Sequence, residues 1–145
     1  MDKEGIHIRE NQVEMIVKGV PVSVAKLDDV VKLYLVNQEH PLFHGDEPFY
    51  VTEFQEFLWV IPYFTLEVDR FIRIVARKLG NRGAVLRVIS PRLPLVWRKL
   101  SMGVVPLFPI PRLARHPLTT LPKWRSVEPF SPAEFLHLCE GNEDG

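Results

Sequence analysis

The segment from Thr65 to Ser90 constrains the fold most, because it carries the pattern of an amphipathic helix followed by a buried strand. Its apolar residues recur at helical spacing, as in a helix with one face in a core. The members of this stripe are Val68, Phe71, Ile72, Val75 and Leu79. Thr65 is the predicted N-cap, and Gly80 can end the helix in a left-handed conformation. The run Ala84–Ile89 is nearly all apolar, as in a parallel strand covered on both faces. This order predicts a small soluble α/β (or α+β) domain with a right-handed crossover.

The part of the chain before this unit predicts a small mixed sheet that opens with an N-terminal hairpin. Ile6–Ile8 and Val13–Val17 are the predicted hairpin strands, and valines alternate again over Val20–Val24. Short apolar runs predict two more strands, at Phe49–Val51 and Phe57–Ile61.

A helix is predicted over Leu27–Glu39. Its apolar residues lie at helical spacing, Asp28 can cap it, and Pro41 ends it. With the helix that follows Thr65, it gives the domain two main helices.

The C-terminal part is proline-rich, since nine of the 13 prolines lie between Pro91 and Pro132. A short helix is predicted over Leu95–Leu100 and a last strand at Val104-Val105, after which prolines forbid long regular structure. Ser131-Pro132-Ala133-Glu134 is typical of a helix start with a capping box. The predicted organisation is therefore a core domain over residues 1–105, a Pro-rich basic extension over 106–130, and a short helix and tail over 131–145.

Charge is segregated along the chain, although the net charge is zero. Met1–Asp69 has 13 acidic and 5 basic residues, Arg70–Val127 has 13 basic residues and no acidic one, and Glu128–Gly145 has 5 acidic residues and no basic one. Such asymmetry often marks an anion-binding face. Cations can meet phosphates and interleaved aromatics can stack on bases, so nucleic acid is one candidate partner. The alternative is that this surface pairs with the acidic N-terminal part or with another acidic protein surface.

The candidate residues for binding an anionic partner are the cations of this segment and two of its tryptophans. They are Arg70, Arg73, Arg77, Lys78, Arg82, Arg98, Lys99, Arg112, Arg115, Trp97 and Trp124.

A metal or nucleophile site has less support. His40 and His44 stand near Asp46 and Glu47, and imidazole and carboxylate are zinc ligands. Pro41 excludes a helical pair and no third strong ligand follows, so we predict no metal site and interpret the segment as a polar loop, with a catalytic base in it left as an alternative.

The single cysteine, Cys139, is interpreted as a structural thiol. One cysteine excludes a disulfide within the chain, which favours a reducing compartment. No apolar stretch resembles a signal peptide or a membrane span, and a cytoplasmic location is expected.

The C-terminal half resembles the GNAT acyltransferases in its order of elements. That family has a strand, a helix, a strand, a short helix with a pattern like L-Y-x-K-x-G-F, and a final strand. Leu95-Val96-Trp97-Arg98-Lys99-Leu100 followed by Gly103-Val104 is similar to the short-helix pattern. The resemblance implies acetyl-CoA as cofactor and acyl transfer as activity. The sequence departs from the family at Ile61–Leu66, which has no glycine where the pyrophosphate loop belongs, and Trp97 stands where the family often has a tyrosine acid.

Two functions therefore follow from the sequence. The first is a non-catalytic binding or assembly protein, without a cofactor, that uses segment 70–127 against nucleic acid or an acidic protein surface. The second is a divergent GNAT-like acyltransferase that uses acetyl-CoA. We favour the first, because the charge segregation is visible and the expected catalytic loop is missing.

Overall fold

The computed structural model describes residues 4–38, 48–80, 83–90, 94–97 and 111–140. Within them two β-sheets and two α-helices form a mixed α/β fold, which confirms the predicted class. The smaller sheet is antiparallel, with strands β1 (Gly5–Arg9), β2 (Gln12–Val17) and β3 (Val20–Lys26) in that order. It contains the predicted hairpin. The tight turn at Lys18-Gly19 has positive φ at both residues, as two-residue hairpin turns require.

The larger sheet has six strands and is mixed. Its strands are β4 (Val30–Gln38), β5 (Phe49–Phe54), β6 (Phe57–Pro62), β7 (Val85–Ser90), β8 (Ala114–Pro117) and β9 (Ser126–Pro129). Their spatial order is β8-β6-β5-β4-β7-β9, and only the β4–β7 pair is parallel. The described part of the Pro-rich extension thus supplies both edge strands, where a missing backbone N–H is tolerated.

Helix α1 (Val68–Leu79) confirms the amphipathic pattern, since every residue of the predicted apolar stripe is buried. The predicted start was wrong. Glu67, with a φ of 66°, is the N-cap, and Thr65 lies buried in the preceding loop. The side chain of Thr65 makes no cap hydrogen bond, because the loop holds it inside the core instead.

The predicted helix over Leu27–Glu39 was wrong as well. Leu27–Asp29 is a single 3₁₀ turn, and the residues that follow form β4, which lies between β5 and β7 in the larger sheet. A strand buried on both faces is apolar on both, so its residues also satisfy helical spacing. Pairing on both edges settles the conformation in favour of a strand, which its β-branched residues support.

The C-terminal helix α2 (Pro132–Glu140) confirms the predicted capping box. The backbone N–H of Glu134 donates to Ser131 Oγ at 3.2 Å, and the backbone N–H of Ser131 donates to the Glu134 carboxylate at 3.1 Å. Of the predicted short helix over Leu95–Leu100, the described part is a 3₁₀ turn at Leu95–Trp97. The predicted strand at Val104-Val105 lies outside the described residues.

The larger sheet is covered on both faces. One face packs against α1, α2 and the smaller sheet, around Trp59, Phe71 and Phe54. The other face packs against Trp97 and the 118–124 segment, around Phe49 and Leu58. Both faces of the strands are therefore withdrawn from water, which is the main stabilising contribution in a fold of this size.

The two sheets are joined by a buried hydrogen bond. Trp59 on β6 is fully buried, and its indole N–H donates to Ser23 Oγ on β3 at 2.9 Å. The large ring fills the space beneath β3, so only the small side chains of Ser23 and Ala25 point inward there. Val22 and Val24, which alternate with them, are exposed. The larger apolar residues therefore face outward in this part of the strand, the reverse of the usual arrangement.

The Ser23→Ala substitution is expected to lower the free energy of unfolding by about 1–3 kcal/mol, because it leaves a buried indole N–H without an acceptor. Urea denaturation followed by tryptophan fluorescence measures this change. Thr119→Ala, at an exposed threonine, serves as the matched control and should be close to neutral. Equal stability of the two variants would show that the Trp59–Ser23 bond does not tie the sheets together.

Candidate binding site: a basic cleft between two sheet edges

A cleft of about 820 Å³ opens where the edge of the smaller sheet lies over the edge of the larger one. One wall is the end of the β2–β3 hairpin, with Val17, Lys18, Val20 and Val22, and the other is the segment 111–115 that leads into β8. Pro62, Phe64 and Glu4 complete the lining. The two walls include parts of β3 and β8, which are edge strands among the described residues, so backbone as well as side chains can contact a ligand in the cleft.

The cleft exposes an unusual amount of apolar surface. Val20 is 56% exposed, Val22 53% and Phe64 53%. Phe64 lies in the loop before α1, which is held in place because Gly5 of β1 bridges Leu66. The backbone N–H of Ile6 donates to the Leu66 carbonyl at 3.0 Å. Contiguous exposed apolar side chains with a polar rim are typical of protein interaction sites.

Three cations surround this apolar surface: Lys18, Arg112 and Arg115. The guanidinium of Arg115 lies 5.1 Å from the centre of the Phe57 ring, a cation–π contact that orients it. Among the described residues of the lining, Glu4 is the one carboxylate. Within the described residues no carboxylate forms a salt bridge with any of the three cations. The cleft can therefore attract an anionic group.

Other cations of the basic segment are engaged by the chain itself. Lys78 pairs with Asp28 and holds the pKa of that carboxyl below its usual range. Arg70 lies 3.6 Å from Glu67. These pairs join the basic segment to the acidic N-terminal part, which agrees with the alternative interpretation of the charge pattern.

Further cations of the segment hold α2. Arg77 of α1 donates to the backbone carbonyl of Cys139 at 2.7 Å. Arg87 of β7 makes two hydrogen bonds to the Glu134 carboxylate, at 2.6 and 3.3 Å, and its guanidinium lies 5.6 Å from the centre of the Phe130 ring. The Ser131 backbone N–H and the Arg87 guanidinium lower the pKa of Glu134. These arginines contribute to the packing of the C-terminal helix.

The predicted binding residues are therefore dispersed. Arg112 and Arg115 meet in the cleft, Arg70, Arg73, Arg77 and Lys78 lie on α1, and Arg82, Arg98 and Lys99 lie outside the described residues. Within the part of the chain that the structure describes, the basic segment does not form one continuous cationic face.

Trp97, which is among the predicted binding residues, is fully buried in the folded chain. Its indole N–H donates to Thr120 Oγ1 at 3.1 Å, and its ring lies edge-on to Phe49 at 6.5 Å between centres. Trp124 is half-buried and packs on Tyr34, with ring centres 5.4 Å apart. Both tryptophans cover the second face of the larger sheet.

The residues that sequence reasoning missed are the ones that form the rest of the cleft: Lys18, Val20, Val22 and Phe64. The available signal was the strand Val20–Lys26, in which valines alternate with serine and alanine. Alternation alone does not say which set faces the core, so the valines would ordinarily be assigned to the inside.

The described residues present no evident catalytic or metal centre. No group of three or more potential metal ligands occurs among them, and the loop with His40, His44, Asp46 and Glu47 lies outside them. Cys139 is buried and has no disulfide partner. Tyr34 donates to the Glu53 carboxylate at 2.8 Å, and burial together with this carboxylate raises the pKa of its hydroxyl. A phenol with a raised pKa is a poor nucleophile at neutral pH.

The sheet order bears on the acyltransferase resemblance. In the larger sheet β6 and β7, which precede and follow α1, are not neighbours, because β5 and β4 lie between them. The loop between β6 and α1 has no glycine, and the helix start carries Glu67 and Asp69. Carboxylates at a helix N-terminus repel a pyrophosphate that would otherwise bind there.

Comparison with protein-family models, with curated proteins and with solved structures finds no match to this chain. Neither helix in the described part of the chain is long and apolar enough to cross a membrane. The function must therefore be inferred from the geometry of the cleft.

Acidification is expected to destabilise the packing around Trp97. His116 on β8 is buried 6.1 Å from the Trp97 ring, and burial followed by the charge of Arg112 lowers its pKa below the usual 6.5. Because the pKa of His116 is lower in the folded state than in the unfolded state, the neutral imidazole contributes to the free energy of unfolding. This contribution is present above about pH 6.5 and is lost as the pH falls through the folded pKa.

Urea denaturation at a series of pH values measures the effect. His116→Phe keeps a ring that cannot be protonated, so its stability should fall less with decreasing pH than that of the wild type. His7→Phe, at an exposed histidine outside this packing, serves as the control, and its stability should fall with decreasing pH as that of the wild type does. An unchanged pH dependence in His116→Phe would exclude His116 as the titrating group.

Proposed function

We propose that the chain is a non-catalytic binding or assembly protein whose cleft between β3 and β8 engages an acidic segment of another protein. The observation that carries the proposal is the combination of three cations with exposed apolar side chains in one cleft. Apolar contact would supply most of the affinity, and the cations would select the partner and its orientation.

An acidic protein segment fits this cleft better than nucleic acid does. Affinity for nucleic acid comes mainly from a row of cations along the phosphate backbone, and stacking needs exposed aromatic faces. Here Lys78, Arg70 and Arg87 pair with carboxylates of the chain, and Trp97 is buried. The valines of the cleft would gain nothing from phosphate, whereas they can pack against apolar side chains of a peptide.

The proposal is tested by selecting peptides from a random displayed library against the intact chain. We expect enriched sequences that combine Asp or Glu with Val, Ile, Leu or Phe. The affinity of a selected peptide should fall by about tenfold or more in the double variant Arg112→Glu/Arg115→Glu, since two attractive charges become repulsive. The affinity should also fall with added salt.

Lys123→Glu is the matched control, because Lys123 is an exposed cation outside the cleft lining, and it should leave peptide binding unchanged. Enrichment of basic peptides, or no enrichment, would overturn the proposal. Tight binding of single-stranded RNA or duplex DNA at low salt that is lost in the double variant would also overturn it, and would assign the cleft to nucleic acid.

A further inference from the structure

We infer, on the basis of the proposed function, that the acidic partner segment binds as an extended strand added to the free edge of β3. The added strand would run from this edge into the cleft, with alternating apolar and acidic side chains. The inference concerns the mode of binding and the class of peptide.

The free edge of β3 is the first observation. β3 is the outer strand of the smaller sheet, so within the described part of the chain its outward backbone N–H and C=O groups have no strand partner. An extended peptide can complete such an edge with main-chain hydrogen bonds, while pockets for alternate side chains give specificity. The hydrogen bond between Trp59 and Ser23 fixes β3 on the larger sheet. The edge is therefore preformed, and binding costs little conformational entropy of the strand.

The outward valines are the second observation. Val22 and Val24 point outward and are 53% and 49% exposed, while Ser23 and Ala25 are buried. Val20 pairs with Val17 beyond the bulge, so it lies on the inner face of the sheet and is exposed in the cleft. Packing around Trp59 explains why small residues point inward, but it does not require valine on the outside. A neighbouring strand would cover these side chains, because residues opposite each other on paired strands are in contact.

The edge is open over a limited length. Met15 pairs with Ser23 and Ile16 pairs with Pro21, so Val22 is the extra residue of a β-bulge. The proline has no N–H to donate, and bulges and prolines block indiscriminate edge pairing. The regular part of the edge is therefore Ser23–Lys26, and a peptide paired there would continue past the bulge into the cleft.

Charge defines the peptide class. Lys26 ends β3, Lys18 lies in the turn before it, and Arg112 and Arg115 stand on the opposite wall of the cleft. Successive side chains of a strand point to opposite sides, so one set can cover the valines while carboxylates in the other set meet the cations. A second copy of the chain fits less well, because pairing of two β3 strands over the short regular edge Ser23–Lys26 provides no carboxylate for Arg112 and Arg115.

A scan of backbone N-methylation on a selected acidic peptide tests strand addition. Methylation removes one N–H donor without changing the side chain. We expect a loss of about tenfold or more at every second position and tolerance at the positions between them, since alternate residues of a strand face its partner. A loss of affinity that does not alternate along the peptide would overturn the inference.

Substitution and hydrogen exchange supply the independent arm. Val24→Glu should abolish peptide binding, and Val127→Glu, at an equally exposed valine on the β9 edge, should not. Peptide should slow amide exchange in residues 20–26 and leave residues 126–129 unchanged.

The outcomes separate this inference from the proposed function. Acidic peptides that depend on Arg112 and Arg115 but bind Val24→Glu normally would leave the proposed function standing and overturn strand addition. Absence of acidic peptides from the selection would overturn both. If amide exchange in residues 20–26 slows with increasing protein concentration in the absence of peptide, strand addition by a partner is overturned and the edge is assigned to a second copy of the chain.

Discussion

The burial of Trp59 between the two sheets is the constraint on which the rest of the structure depends. The ring fills the space between β6 and β3, and its N–H finds an acceptor in Ser23. An indole N–H left without a partner in such a place costs about 1–3 kcal/mol, so the Ser23 hydroxyl allows the Trp59 ring to be buried without this cost. The pair fixes the distance and the register at which the smaller sheet lies on the larger one.

The cleft follows from this packing. Because small residues of β3 face Trp59, Val22 and Val24 face outward. Val20, Val22 and Phe64 expose apolar surface to water in the cleft. Prolines and cations flank this surface. They limit unspecific pairing of the edges, and they also select an anionic ligand. Protection of the edge and recognition of a partner thus depend on the same residues.

The basic segment has a structural role that its composition conceals. Lys78 joins α1 to the turn before β4, and Arg77 and Arg87 hold α2 against α1 and β7. Exposed ion pairs contribute little each, so these contacts orient elements more than they stabilise them. Part of the segregated charge therefore orients elements of the same chain against each other. The cations that make no such contacts are the ones that can bind another molecule.

Local patterns predicted a large part of the fold. The stripe of α1, the capping box of α2, the N-terminal hairpin and the strands around Val51 and Leu58 were predicted correctly, because each depends on residues close in sequence. Val30–Gln38 was predicted as a helix because a strand buried on both faces has no alternation to distinguish it. Of the cleft, only Arg112 and Arg115 were among the predicted binding residues. Val20 and Val22 come from a strand whose inner face is packed on a tryptophan 36 residues away from Ser23 in the chain, and Phe64 comes from the loop before α1.

The sequence by itself determined the elements whose signal is local: periodic apolar stripes, caps, turns and the segregation of charge. Only the tertiary structure decided which face of β3 is buried, which cations are neutralised and whether Trp97 can meet a partner. The physical reason is that burial and charge pairing depend on what lies across the core, and neighbours in space are set by sheet order. The segment Thr65–Ser90 shows both sides: its helix was visible in the sequence, whereas the contacts of Arg77 and Arg87 depend on where α2 docks.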